Sequence, residues 1–274
     1  MIDLESEPLN KLLEVAAYRE LHIRARVNDA ARAVMLPWAV GADLDGLAAR
    51  YDVARLPGEE NDRLRLRVLK GYHALAAAAS PTSWQLKAMS VSVDVRAVDV
   101  WSNTPGRVKV CLLARVAEPL ADMPESAQAI GRALFGDHPT AKSAQPMGWR
   151  VATAADAVVR QVEAALTAED AGPMTVDVNV TAARVLPATV SAQLVHPPGI
   201  DGTRLASEAA ARVLKLAGRA GFRVDMTRAA IMGAIAADAV RDVVLHSPAD
   251  NVAAGLGEVV AITAVSIQPV LRND

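Results

Sequence analysis

The chain has 274 residues, enough for one large domain or two or three small ones, and its 29 basic and 31 acidic residues leave a formal charge of -2, so no overall field is available to grip nucleic-acid phosphates. Hydrophobic residues make up 52%, yet only two Phe, three Tyr and four Trp are present, which leaves Ala, Val and Leu to fill the interior. Cys111 is the one cysteine, so an intrachain disulfide and a thiolate zinc site are excluded; the acidic start MIDLESEPLNK and the lack of an apolar run of ~20 residues predict a soluble protein made in the cytoplasm, with no membrane insertion.

From Pro8 to Leu36 the apolar residues Leu9, Leu12, Leu13, Ala16, Ile23, Val27, Ala30, Ala31 and Val34 recur at spacings of three and four, the signature of one helix face. Pro8 suits the first turn, and Pro37 should end or kink the helix because it has no N–H to give the ladder. A helix of about 29 residues spans about 43 Å. That is more than a small domain covers, so part of the stripe calls for another chain. The charged residues between, with Glu20 and Arg24 four apart, read as a solvated outer face.

A short helix follows in ADLDGLAARYDV, with Asp43 as its cap, and a charged helix runs from Asn61 to about Leu75. Another starts at Pro81. Beyond Val91 the period changes to two: VDVRAVDVW and RVKVCLLARV form a hairpin across SNTPG, with Cys111 a small buried residue in its second strand. Helices are expected in MPESAQAIGRALF and ATAADAVVRQVEAALTAED, with the Pro- and Gly-rich GDHPTAKSAQPMGW between them as irregular loop. Strands follow in MTVDVNVTAARV and PATVSAQLVH, then helices in TRLASEAAARVLKLAGRAG and MTRAAIMGAIAAD, then strands in AVRDVVLHS and EVVAITAVSIQPV. The fold class is α+β: a long-helix head followed by two small α+β domains with mixed or antiparallel sheets. In the last strand Val259, Ile262, Val265 and Ile267 are apolar across both faces, which a strand with one wet face does not show. These four residues are therefore the expected self-contact, where the C-terminal layer pairs with another copy.

No catalytic constellation emerges. His22, His73, His138, His196 and His246 are scattered without ligand spacing, and Asp43 and Asp45 sit at a helix start, where carboxylates serve the macrodipole. GLGEVV leads into a strand, whereas a phosphate cradle opens a helix. No cofactor, metal or catalytic residue is expected, and the protein reads as no enzyme; an enzyme whose site forms only between chains is the remotest alternative. Residues 43–70 imitate a helix-turn-helix, which makes a nucleic-acid-binding regulator the main alternative. Against it, ARLPGEEN is longer than the usual turn, and Glu59, Glu60 and Asp62 would meet the phosphates first.

EPLNKLLEVAAYREL, RVNDAARAVML, AVGADLDGLAARYDVARLPGE and RLRLRV, together residues 5 to 70, resemble the head of the baseplate assembly protein J family, wedge components of contractile phage tails and tail-like bacteriocins. A thinner likeness runs on through ALTAEDAGPMTVDVNV to the last strands. The resemblance implies a structural protein incorporated into the tail baseplate of a phage or tail-like particle. Its first helix would join a bundle with a second copy and another wedge protein, and its later domains would pair to close a ring around the tail hub. Carried onto this sequence, the bundle contacts are Leu9, Leu12, Leu13, Ala16, Ile23, Val27, Ala30 and Val34. The domains are residues 1–90, 91–185 with an insertion at 118–150, and 186–274. The sequence departs from the family at Pro37, at GEEN, which leaves Asn61 as the cap, and in the insertion.

Overall fold

The structure is a computed structural model that describes residues 8–75, 80–168, 176–237 and 239–272. It contains two compact units, Met1–Ala78 and Ala79–Asp274.

The first unit is helical: α1 (Pro8–Ala33), α2 (Gly41–Ala49) and α3 (Asn61–Leu75). The first helix ends earlier than its apolar spacing predicts. After Ala33 the chain breaks into turns, with the Trp38 and Ala39 amides both donating to the Met35 carbonyl at 3.0 and 2.9 Å. Pro37 disfavours helical backbone at the residue before it, so the ladder stops upstream. The cap assignments change as well. Val40 occupies the cap of α2 without a side-chain hydrogen bond, and Asp43 lies inside the first turn, where it serves the dipole instead. Asn61 is the first residue of α3, and its Oδ1 accepts from Arg55 Nη2 at 3.0 Å. Leu44, Ala48, Val53, Leu64 and Val68 are buried in this unit.

The second unit opens with α4 (Pro81–Val91), capped by Ser80, whose Oγ accepts from the Ser83 amide at 3.2 Å. A four-stranded mixed sheet follows, built on β2 (Arg107–Pro119). The antiparallel hairpin with β1 (Val95–Thr104) turns at Gly106, whose φ of 79° favours glycine. β3 (Met147–Val151) pairs antiparallel with the far end of β2, and β4 (Asp177–Ala182) runs parallel to its start. The segment expected to be irregular loop thus ends in a strand. One face of the sheet is covered by α4 and α6 (Ala157–Thr167): Trp84, Met89, Val159, Val162 and Leu166 pack on Val95, Val98, Val110, Leu112 and Val180.

The second sheet has the order β6-β5-β7, with β5 (Arg184–His196) antiparallel to β6 (Asp242–Ser247) and parallel to β7 (Glu258–Leu271). The helices α7 (Gly202–Ala217) and α8 (Arg228–Ile235) cover one face, burying Ala188, Val190, Leu194, Leu205, Val213 and Ile231 together. α5 (Glu125–Phe135) joins the two layers. It lies so close to β3 that a Cβ on Gly131 would fall 1.6 Å from the Trp149 carbonyl oxygen. Its Leu134 packs with Leu113 of β2 and with Val259 and Ala261 of β7. The first half of β7 is therefore covered on both faces, because Val260 and Ile262 point to the α7 side.

Asp99, 5% exposed, fixes the junction. Arg223 donates to it from Nε at 3.0 Å and approaches from Nη2 at 2.7 Å, while the Gly257 amide donates at 3.1 Å. Asp99→Ala strips acceptors from a buried amide and a charged guanidinium. Urea unfolding should show a loss of about 2 kcal/mol, with Arg223→Ala adding little on top because the two share one interaction.

Candidate assembly surfaces

The first helix buries none of its residues. Leu9, Leu12, Leu13, Ile23, Val27 and Val34 keep 61–67% of their surface exposed, and Ala16 and Ala30 are exposed beside them. The eight residues predicted as bundle contacts thus all face solvent in this unit. Residues off the predicted stripe, Val15, Tyr18 and Leu21, are also exposed, so the apolar surface is wider than the three-and-four spacing marks. An ion pair joins Glu20 to Arg24 one turn on, and Tyr18 meets His22 edge-on at 4.3 Å.

The connection between α2 and α3, the pseudo helix-turn-helix, is held by a buried polar network that the sequence does not disclose. The Glu59 side chain is fully buried and ion-paired with Arg63 and with Arg67, which is itself 2% exposed. Arg67 Nη1 donates to Glu59 Oε2 at 2.6 Å and to the Ala54 carbonyl at 3.0 Å, and the Leu56 amide donates to the same carboxylate at 3.0 Å. Arg65 reaches back to the Leu36 and Ala39 carbonyls at 3.1 and 2.8 Å. Arg55 bridges Asp45 and the Glu59 carbonyl. The arginines that a reading helix would offer to DNA are thus engaged inside the unit, and Glu59 faces them rather than a phosphate.

The four residues expected to form the C-terminal self-contact fall in two places. Val259 and Ile262 are 0 and 1% exposed. Their apolar character on opposite faces is satisfied within the chain, Val259 against the Leu134 side and Ile262 under α7. They offer no surface to a second copy. Val265 and Ile267 are half-buried and pack against the α7 cluster. The irregular register at Ala188/Thr189 sets Thr263 out of step, after which β7 alternates: Ala264, Ser266 and Gln268 are exposed on the other face. That is a one-wet-face pattern, in which the extra residue at Thr263 moves the inward positions from Ile262 to Val265 and Ile267.

The Baseplate J-like N-terminal domain family matches residues 5–62. Baseplate protein J of Escherichia phage P2 is 36% identical over 217 residues, 73% of this chain and 68% of that protein. The chain belongs to the baseplate J family. The N-terminal match takes in α1, α2 and the connection that carries Glu59, so the exposed helix α1 lies inside the family's recognisable head.

Among the described residues no group of three or more His, Cys, Asp or Glu comes together to hold a metal. Cys111 is buried, and burial pushes its thiol up to about 11. In the segment 118–150, which the family resemblance left without contacts, Arg150 clamps Asp156 at 3.0 and 3.1 Å and pairs with Glu118. The hydrogen bonds from Arg150 hold the Asp156 carboxyl down at about 2. A depressed folded value gives stability that is present above the unfolded value of ~4 and is lost as pH falls toward the folded one. Between these limits the parent should lose about 2 kcal/mol more than Asp156→Asn in urea unfolding. Parallel losses in the two proteins would refute the clamp.

Proposed function

We propose that this structural baseplate component is a wedge protein of a contractile tail, joined to other wedge proteins through α1 and to copies of itself through its C-terminal layer, in a ring around the tail hub. It is made in the bacterial host, built into a phage virion or a tail-like particle, and works without catalysis. The observation that carries this reading is a 26-residue helix with no buried residue, because helices in proteins gain most of their stability from packing an amphipathic face. Membership of the baseplate J family supports it.

The contact between copies falls on the outer half of β7. This is an edge strand, bridged on its own outside, among the described residues, by Phe222 to Val259 at its start. From Val259 to Leu271 it carries no charged residue, so it lacks the charges that blunt a strand edge.

Ile23→Asp with Val27→Asp tests the α1 role. Both side chains are exposed in the chain by itself, so melting should shift little, while incorporation into tail particles should be abolished. Normal incorporation of the double variant would overturn the reading.

A further inference from the structure

Between Val95 and Ala97 the register of β1 on β2 skips, so Arg96 is the extra residue of a bulge, a feature that re-aims a side chain. Its Nη2 donates to the Gly218 carbonyl at 2.9 Å, and its guanidinium carbon lies 5.9 Å from the centre of the Phe135 ring. Its Nη1 is closed off from solvent, and no acceptor among the described residues reaches it. On the next strand Arg115 donates from Nε to Asp94 Oδ1 at 3.1 Å and stacks 3.9 Å over the Trp149 ring. These contacts take one edge and one face of its guanidinium. Both of its Nη groups stay without an acceptor among the described residues.

The two cations act on each other: burial first, and then the charge of Arg115, push the Arg96 guanidinium below its ordinary value. Asp94 answers only one of the two charges. A buried charged donor without an acceptor is costly, and a ring face at that distance offsets part of the cost. Trp149 and Asp94 hold Arg115 in place and Gly218 holds Arg96, so little side-chain freedom remains to be lost on binding. One uncompensated positive charge calls for a monoanion, and a guanidinium edge with free N–H groups matches the two oxygens of a carboxylate. A phosphate dianion would overcompensate.

We propose that Arg96 and Arg115 form a carboxylate site, filled in the assembled tail by an Asp or Glu side chain of a neighbouring polypeptide. The carboxylate lands on the Nη edge of Arg115, whose side chain is 30% exposed, and Arg96 turns its Nη1 to the same group while keeping Gly218. The site uses no residue of α1; it rests on the wedge reading only for the source of the carboxylate.

The test follows the Nε resonances of Arg96 and Arg115 in the full chain with isotope-labelled arginine. N-acetyl-Gly-Glu-Gly-amide, its Gln twin or inorganic phosphate is added at constant ionic strength. The Glu peptide should move both resonances along one saturating curve, about tenfold tighter than the Gln twin or phosphate, the step that one charge-assisted hydrogen bond supplies. Arg115→Lys keeps the charge and loses the fork, and should weaken the Glu peptide by about the same factor. No movement with the Glu peptide, or equal binding of the Gln twin or of phosphate, overturns the site and leaves the role of α1 intact. Incorporation into tail particles tests the source: Arg115→Lys should enter them less than the parent, and normal entry of a variant that has lost the Glu peptide would overturn the neighbour as the donor of the carboxylate.

Discussion

A helix of 26 residues that buries none of its side chains has to draw its stability from somewhere other than its own fold. Alanine-rich composition and the Glu20–Arg24 pair supply intrinsic helicity worth tenths of a kcal/mol per residue or pair, which keeps such a segment near the margin in water. On the proposed reading the remaining stabilisation comes from a surface laid against it. That constraint orders the rest of the molecule. The first unit is small, and while Arg55, Arg63 and Arg67 tie its α2–α3 connection to Glu59, α1 keeps an uncommitted apolar face. A helix already formed when its partner arrives also loses less conformational entropy on docking.

The second unit solves the opposite problem. The first half of β7 is apolar on both faces, and the chain closes both: α7 and α8 on one side, α5 with β2 on the other. The segment 118–150, with no counterpart in the resemblance, supplies that second cover, and Gly131 permits it because no side chain would fit against the Trp149 carbonyl. Asp99 and Arg223 then tie the hairpin to the turn that launches β7. What β7 leaves open is a strand edge and a sheet face that carries Ala264, Ser266 and Gln268.

Local periodicity carried most of the fold. The three-and-four spacing marked α1, the alternation marked the hairpin and the long strands, and the head of the chain carried its family in its residues. The errors share one physical cause, which is that contacts between distant segments leave no local trace. Val259 and Ile262 looked like a surface for another copy because nothing in EVVAITAVSIQPV says that residues 130–135 lie on it. Asp99 and Arg223 meet across 124 positions. Glu59 stands in the sequence as a charge set against phosphates, although Arg67 pairs with it in the interior. β3 was missed because a five-residue strand broken by Gly148 has too little alternation to show. The exposure of α1, by contrast, was legible: its length alone exceeds what a domain of this size can cover.

Amide hydrogen exchange over residues 8–33, compared between the free chain and purified tail particles, tests the central claim most directly. Exposed helical hydrogen bonds that only a neighbour stabilises should exchange fast in the free chain and become strongly protected in the particle, while α7, whose Leu205, Ala209 and Val213 are already buried, keeps the same protection in both. Equal protection of α1 in the two states would show that the helix needs no partner and would contradict the account.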